Sequence, residues 1–369
     1  MKAYRLSLLL APALLSASAL GSPAIAQPPP AAATAPTPSM DAASRKAVIE
    51  GVISRITASY VFPEKAPAIA KALRRQLSSG GFDSITDPKA FAEAVNKVLE
   101  TVAHDKHLGL SWSPQPLPPM GPGGEPDAAM IAMYQTMMRR MNYAIPKAEV
   151  LEGNIGYLKM NLFARAQDAG PTLAAAMAFL QYCDALIFDI RDNGGGDPGM
   201  VAMALSYLVP PETEINRFHQ RGKDVDEQVW SLPYVPGGRW STDKPVYVLT
   251  SNRTGSGAEE FAYDVQQMKR GTVVGAVTWG GANPGGFLPI DEHFGIFVPT
   301  GAAVNPISKT NWEGVGVKPD VAVDPAVALD TARRLALEKL IATATGDRAR
   351  QLQHILDAQP VPPANPSPN

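Results

Sequence analysis

The sequence predicts an α/β layered domain preceded by a small helical domain. In residues 41–103 the apolar side chains recur at helical spacing, and from Gly153 onward short apolar runs alternate with helical segments. That alternation is typical of a sheet covered by helices. The chain of 369 residues is long enough for one large or two moderate domains with a buried core.

Residues 1–26 have the composition of a secretory signal peptide. Lys2 and Arg5 form a basic start, an apolar run continues to about Leu20, and an Ala-Ile-Ala sequence ends at Ala26. The apolar run is interrupted and short for a membrane span. We therefore expect cleavage after Ala26, export across the inner membrane, a periplasmic location and no membrane-spanning segment.

The next segments are a linker and the helical domain. Residues 27–40 are rich in Pro and Ala, which predicts a disordered linker. Three helical segments follow within 41–103, and the third begins with Asp87 as the N-cap and Pro88 in the first turn. We therefore expect an N-terminal helical domain over residues 41–103.

Residues 104–345 are predicted to form the α/β domain. The nearly all-apolar run 185–190 suits the middle of a sheet. The other strands are expected at 155–160, 246–249, 272–277, 287–290 and 296–298. Helices are expected at 171–182, 199–208, 261–270 and 325–344. Residues 346–369 are interpreted as the end of a C-terminal helix and a Pro-rich tail.

The charge, the cysteine content and the glycine motif limit the partners, disulfides and cofactors that the sequence indicates. The 33 basic and 35 acidic residues nearly balance, so neither nucleic acid nor an anionic membrane is indicated. Cys183 is the only cysteine, which excludes an internal disulfide and favours a packing role. The glycine run at 194–196 matches neither a dinucleotide nor a P-loop motif, and Asp197 would repel a phosphate. We expect no metal and no cofactor.

Ser256 lies in a turn between an apolar run and a helical segment. It begins a Ser-x-x-Glu pattern with Glu259, which is typical of a capping box at a helix N-terminus. A strand, a tight turn and a helix can also present a serine nucleophile. Taken alone, the pattern favours the cap.

The glycine run 194–196 follows the central strand and precedes another helix. Such a turn leaves backbone N–H groups unshielded, and these can stabilise an anion. An oxyanion hole for acyl transfer needs only one or two of them. The alternative interpretation is an ordinary tight turn.

A serine nucleophile requires a base within hydrogen-bond reach. Lys269 is thirteen residues along the helix from Ser256, about 20 Å away, which is too far. His107, like His104, lies between the two predicted domains, where a cleft is expected. It is interpreted as either the base or a surface side chain. Glu313 either pairs with an arginine or orients a histidine.

Three blocks of sequence resemble a known family. The runs 185–196, 250–263 and 311–320 are similar to the signature blocks of the tail-specific, or C-terminal processing, serine peptidases. The closer resemblance is to the branch without a PDZ domain, which includes the repeats of interphotoreceptor retinoid-binding protein and is related to the tricorn protease core. The resemblance implies a crotonase-like α/β core with an N-terminal helical bundle, and a peptidase that acts on proteins or peptides.

The resemblance also implies roles for individual residues. It puts the nucleophile at Ser256, and the oxyanion hole at the N–H of Gly257 together with one from the pair Gly194 and Gly195. The short stretch between the first block and the helical domain leaves no room for an inserted PDZ domain. Recognition of a free substrate C-terminus is therefore not implied.

The family offers two kinds of base. Many members use a lysine twenty-five residues after the serine, but this position is Gly281 here, so the dyad is absent. The tricorn-like Ser-His-Glu triad fits, with His107 and Glu313 at the histidine and glutamate positions. One departure is Lys106, which stands where tricorn has a serine.

Two other functions remain open from the sequence. A non-catalytic protein that binds a lipophilic ligand is one, as the retinoid-binding relatives suggest. The Met-rich segment 128–141 would then form a lid, although a row of methionines is also common in ordinary packing. An esterase with the same triad is the other.

Overall fold

The computed structural model describes residues 39–118 and 127–360. The predicted signal peptide, nearly all of the predicted linker and the tail from 361 lie outside the described residues. Met40, at the end of the predicted linker, is buried, and its N–H donates to the carbonyl of Thr86 at 2.9 Å. Met40 therefore packs with the helical domain.

Most helices of the described residues lie where the periodicity predicts helical structure. The helix expected at 171–182 begins earlier, at Ala166, and residues 346–358 form a separate helix where only a helix end was expected. Asp87 caps the third of them, because its carboxylate accepts the N–H of Ala90 at 2.7 Å. In chain order the α-helices are α1 Ala42–Ser59, α2 Ala66–Ser78, α3 Pro88–Ala103, α4 Ala128–Arg140, α5 Ala166–Leu180, α6 Pro198–Ser206, α7 Gly257–Gln267, α8 Ala328–Ile341 and α9 Gly346–Ala358.

The strands of the described residues form three sheets. In chain order they are β1 Gly109–Trp112, β2 Lys147–Leu151, β3 Ile155–Lys159, β4 Ala185–Asp189, β5 Glu214–Gln220, β6 Glu227–Trp230, β7 Val246–Thr250, β8 Thr272–Gly275, β9 Gly285–Pro289, β10 Phe294–Pro299, β11 Gly301–Val304 and β12 Val321–Ala322.

The chain divides into two compact units. The first contains residues 39–104, 108–118 and 285–298. Its helices α1 to α3 bury apolar stripes, and β1, β10 and β9 form its sheet in that order. The division differs from the single boundary expected near residue 103, because β1 pairs with a strand almost two hundred residues later in the chain.

The second unit contains residues 105–107, 127–284 and 299–360. Its main sheet has the order β12-β8-β7-β4-β3-β2, and every strand is parallel to its neighbours except β2. Leu186 and Phe188 pack with α5, α6 and α7, whereas Ala185 and Ile187 pack with α8 and α9. The sheet is thus covered on both faces, as predicted for an α/β layered domain.

The parallel strands β4, β7 and β8 end at the same edge of this sheet. Asp189 is paired with Leu249, and Thr250 with Gly275. The loops that follow these strands therefore begin side by side. Such an edge is where α/β sheets place their ligands.

Three further features bear on the sequence predictions. Cys183 is buried, as expected for a packing residue. The Met-rich segment forms α4, on which Met138 is buried while Met133 and Met137 are 74% and 43% exposed. Within the part of the chain that the structure describes, no helix is both long enough and apolar enough to cross a membrane.

Candidate active site

Ser256 occupies a strained turn between β7 and α7. It is the N-cap of α7, with φ 52° and ψ −124°. A side chain other than glycine at positive φ costs on the order of 1–3 kcal/mol, which the surrounding structure must offset. The side chain is partly exposed. A strand, a sharp turn and a helix that hold a serine in this way are the arrangement of a nucleophile elbow.

The glycine turn after β4 touches the serine turn. Gly195 has φ 114°, and a methyl group on it would lie 2.7 Å from Cβ of Ser256 and 2.9 Å from N of Gly257. No side chain fits there. The two turns are also hydrogen-bonded, because the N–H of Gly255 donates to the carbonyl of Asn193 at 3.0 Å.

Two backbone amides beside Ser256 are available for an anion. Gly195 donates its N–H to the side-chain oxygen of Asn193 at 2.9 Å and is therefore engaged. Within residues 39–118 and 127–360, the N–H groups of Gly194 and Gly257 donate to no protein acceptor. Gly257 begins α7, and the first N–H groups of a helix have no partner within it.

Glu259 joins the serine turn to the loop that follows β8. Its carboxylate is completely buried and accepts the N–H of Ser256 at 2.8 Å. It also accepts the hydroxyl of Thr278 and the N–H groups of Gly280 and Gly281, the last two at 2.6 and 2.9 Å. Burial raises the pKa of Glu259, and these four hydrogen bonds oppose the rise. Part of the predicted capping box is thus present, with a further structural role.

His107 lies in a short bend between α3 and β1. The carboxylate of Asp105 accepts the backbone N–H of His107 at 3.0 Å and the side-chain amide of Asn283 at 2.9 Å. The imidazole packs edge-on against the indole of Trp279, with ring centroids 5.0 Å apart. The histidine is therefore fixed through its backbone on one side and its ring on the other.

Glu313 lies beside His107. Its carboxylate accepts the backbone N–H of Lys106 at 2.8 Å and that of Ala282 at 2.6 Å. One ligand atom of each of Asp105, His107 and Glu313 lies within 4.8 Å of the other two. The structure thus brings together the histidine and glutamate that the sequence selected.

The charges of this cluster depend on burial. Burial lowers the pKa of His107 to about 4, so the imidazole is neutral at neutral pH. Burial, together with the charge of Asp105, raises the pKa of Glu313 to about 7. The imidazole is therefore neutral near pH 7, where Glu313 changes from its protonated to its ionised form, and only the ionised form would stabilise an imidazolium.

The same three side chains are of types that bind metal ions. However, both oxygens of Asp105 and both oxygens of Glu313 already accept N–H groups. A metal at this position would share each oxygen with an N–H donor. The arrangement fits the orientation of an imidazole better than the coordination of an ion.

Position 281 has no room for a side chain. A methyl group on Gly281 would lie 2.7 Å from Cε1 of His107 and 2.3 Å from Cζ3 of Trp279. The imidazole and the indole together fill the space that a lysine at this position would need. This agrees with the predicted absence of a Ser-Lys dyad.

Two family models match the chain in adjacent segments. A model for peptidase family S41 matches residues 154–323, and one for the N-terminal domain of this family in eukaryotic IRBP matches residues 42–147. The chain belongs to peptidase family S41. The S41 match contains Ser256, Glu313 and the glycine turn at residues 194–196.

The S41 chain is similar to curated processing peptidases. It is 26% identical over 180 residues to the carboxy-terminal-processing protease of Bartonella bacilliformis, an alignment that covers 47% of this chain and 40% of that protein. It is also 26% identical over 178 residues to the chloroplastic C-terminal processing peptidase of Tetradesmus obliquus, covering 47% and 36%. The chain therefore spans less than half the length of these relatives.

Solved structures share the fold of the S41 chain. Mature CPAF matches with a TM-score of 0.54 at 11% identity, over 85% of this chain and 96% of that one. A lipoprotein from Streptococcus agalactiae matches with a TM-score of 0.53 at 11% identity, over 80% and 96%. At such identities the likeness concerns the fold alone, and it confirms the mixed α/β class with N-terminal helices.

Sequence reasoning missed three residues of this S41 site. Asp105 fixes the backbone of His107, and its position two residues earlier is the spacing of an Asx turn, which was a usable signal. The sequence pattern predicts only a capping role for Glu259. No sequence pattern predicts a role for Trp279, and nothing local to it indicates that it contacts His107.

Proposed function

We propose that this S41 chain is an exported serine peptidase that hydrolyses peptide bonds with Ser256, His107 and Glu313. One observation supports the proposal most strongly. Ser256 is held at positive φ against Gly195, beside two backbone amides that have no protein acceptor among the described residues. A strained, partly exposed serine next to unpaired N–H groups is what acyl transfer requires.

In the proposed reaction Ser256 attacks the carbonyl carbon of a peptide. Its Oγ forms the new bond while the hydroxyl proton passes to the neutral imidazole of His107. The imidazolium then gives that proton to the leaving amine as the C–N bond breaks, which leaves an acyl-enzyme. In the second half water attacks the ester and gives a proton to His107. The imidazolium returns that proton to Oγ of Ser256 as the ester C–O bond breaks and the acid product leaves.

The negative oxygen of the tetrahedral intermediate would lie between the two turns. The N–H of Gly257 and one N–H from the pair Gly194 and Gly195 are the proposed donors. Gly194 is the more suitable donor of the pair, because the N–H of Gly195 already donates to the side chain of Asn193. Fixed backbone donors stabilise the charge without reorganising.

Glu313 is proposed to hold the imidazolium in place. The two carboxyl groups near His107 favour its charged form at the moment the proton arrives, although burial disfavours that form in the resting enzyme. Asp105 would act through the backbone of His107, because it accepts that N–H.

We propose protein or peptide substrates and a periplasmic location. The curated relatives are named as carboxyl-terminal processing peptidases, and the sequence begins with the composition of a signal peptide. A role in processing the C-termini of other proteins is the simplest extension of those names.

Replacement of the proposed nucleophile tests this function. Ser256→Ala should reduce kcat for an unfolded protein substrate by on the order of 10⁵–10⁶, as in other serine peptidases. The free energy of unfolding should change by less than about 1 kcal/mol, since only a partly exposed hydroxyl is lost. Wild-type protein should be labelled by a fluorophosphonate and the variant should not. Full activity in the variant would refute the assignment, and turnover of esters without peptides would favour the esterase.

A second candidate function is supported by α4. Met133, Met137 and Met141 are 74%, 43% and 40% exposed, and an exposed row of methionines adapts well to apolar ligands. In this candidate the chain binds a lipophilic molecule without catalysis. Organic extraction of the purified protein, followed by mass spectrometry, should then yield a stoichiometric lipid, and Ser256 should remain unlabelled.

A further inference from the structure

Trp279 contacts residues of both halves of the proposed catalytic group. Its ring meets the imidazole of His107 edge-on at a centroid distance of 5.0 Å. The same ring also borders the serine turn, because a methyl group on Gly255 would lie 3.3 Å from its Cε3 atom. One side chain thus contacts both the proposed base and the residue that precedes the proposed nucleophile.

The backbone around Trp279 is anchored to the serine turn. Its N–H donates to the carbonyl of Thr254 at 3.0 Å. On either side of it in the chain, Thr278 and Gly280 donate to the buried carboxylate of Glu259. The indole is therefore carried by a fixed segment, and its position relative to His107 is set by the same hydrogen bonds that set the turn of Ser256.

Trp279 is also partly open to water. It is 42% exposed, which is high for a tryptophan that packs against other side chains. Its ring edge covers the part of the His107 imidazole that it contacts. An indole in this position replaces water by an apolar edge, and this disfavours a charged imidazole.

We propose that Trp279 is a positioning residue that orients the imidazole of His107 and shields it from water. The proposal rests on the proposed function, since it assigns His107 the role of base. Beyond that function, Trp279, an aromatic residue outside the proposed triad, sets the pH range in which His107 is neutral and can accept a proton.

Several titratable groups surround the His107 imidazole. Asp105 and Glu313 are the carboxyl groups near the ring, and Lys106 precedes it in the chain. Glu259 is buried beneath the loop of Trp279, with its oxygens directed to that loop. Burial now lowers the pKa of His107 to about 4. Removing the indole admits water, so that pKa should rise toward its ordinary value of 6.5.

The decisive experiment compares pH profiles of kcat/KM for a peptide substrate in wild type, Trp279→Ala and Trp279→Phe. The neutral imidazole is the active form, so activity falls below its pKa. We expect the limb set by His107, which lies below the one set by Glu313 near pH 7, to be at least one pH unit higher in Trp279→Ala than in wild type. Trp279→Phe keeps an aromatic cover and should show a smaller shift. A loss of activity without movement of the limb would overturn the proposal.

A second measurement does not depend on activity. NMR titration of the His107 imidazole, assigned by its disappearance in His107→Ala, gives the pKa directly. It should be at least one unit higher in Trp279→Ala, and an unchanged value would overturn the proposal. Trp279→Phe serves as the test if the alanine variant does not fold. The two proposals can be tested separately. The activity of Ser256→Ala tests whether Ser256 is the nucleophile, and the His107 titration in the Trp279 variants tests whether Trp279 shields the imidazole.

Discussion

Glu259 and Glu313 bind successive amides of one loop, yet their surroundings differ. Glu259 accepts the N–H groups of residues 280–281 and Glu313 those of residues 282–283. Glu259 is completely buried, and two donors reach each of its oxygens. Glu313 is only partly buried and lies beside a second carboxyl group. The first glutamate supports the proposed nucleophile, and the second supports the proposed base.

The difference shows two ways of fixing a catalytic side chain. On the serine side the geometry comes from saturated hydrogen bonds and from the contact of Ser256 with Gly195, so a proton could bind Glu259 only by displacing a donor. On the histidine side the geometry depends on groups that change charge. We therefore expect the serine side to govern stability and the histidine side to govern the pH dependence of activity.

Among substitutions of these carboxyl groups, Glu313→Gln should have the largest effect. It removes the charge that stabilises the imidazolium, and comparable changes in other triads lower kcat on the order of 10⁴-fold. The pKa of Glu313 is raised to about 7, so the carboxylate form accumulates as the pH rises through 7. Wild-type kcat should rise over that range, and the rise should be absent in the variant. Steady-state kinetics from pH 5 to 9 provide the measurement.

A surface glutamate provides the control for this prediction. Glu152 has an exposed side chain, so Glu152→Gln should leave both kcat and its pH dependence unchanged. If Glu313→Gln retains kcat within tenfold of wild type, Glu313 does not support the base, and the contrast between the two glutamates fails.

Glu259→Ala should have the next largest effect, and mainly on stability. It leaves three backbone N–H groups and one hydroxyl without their acceptor, and an unsatisfied buried donor costs about 1–3 kcal/mol. Partial access of water to the new space reduces the total, so we expect a loss of about 3–5 kcal/mol in the free energy of unfolding. Urea denaturation measures it.

Thr278→Ser is the matched control for Glu259→Ala. It keeps the hydroxyl that donates to Glu259 and removes one methyl group, which is worth about 1 kcal/mol. An equal loss of stability in the two variants would mean that the carboxylate of Glu259 does not hold the loop.

The serine side nevertheless contains one pH-sensitive element. Glu260 and Asp264 lie one turn apart on α7, and both are buried. Asn216 donates to Glu260 at 3.0 Å, and Asn305 donates to Asp264 at 2.8 Å. Burial raises the pKa of both carboxyl groups, and for Asp264 the charge of Glu260 adds to the rise. The folded protein therefore holds more protons here than the unfolded chain does.

Glu260→Gln should have the smallest effect. Because the folded-state pKa is raised, the stability associated with the protonated pair declines as the pH rises from the unfolded value of 4.5 through neutrality. Each proton lost contributes at most about 1.4 kcal/mol per pH unit. Urea denaturation measures the free energy of unfolding. Between pH 6 and 8 that energy should fall by about 1–2 kcal/mol less in Glu260→Gln than in wild type, with Glu152→Gln as the control. Parallel pH dependences would show that the pair does not titrate.

The local features of the fold were predictable because they depend on neighbours in the chain. Apolar spacing located α1 to α3 and the central strand β4, and Asp87 identified the start of α3. The strand, turn and helix around Ser256 follow from an apolar run, small residues and a helical period. The division into units was not predictable in this way, since it depends on β1 pairing with β10.

The sequence by itself determined the α/β class and the turn that carries Ser256, and it made His107 and Glu313 candidates. Their proposed triad roles, and the meaning of Gly281 in place of a lysine, came from the resemblance to a family. Only the tertiary structure decided what surrounds them. The bond from Asn283 to Asp105 joins residues 178 positions apart, and the contact of Trp279 with His107 is similarly distant in the chain. Such contacts arise where loops from separate strands meet, and burial at that meeting point changes the pKa of each group. Neither the meeting nor the burial is encoded in a local pattern.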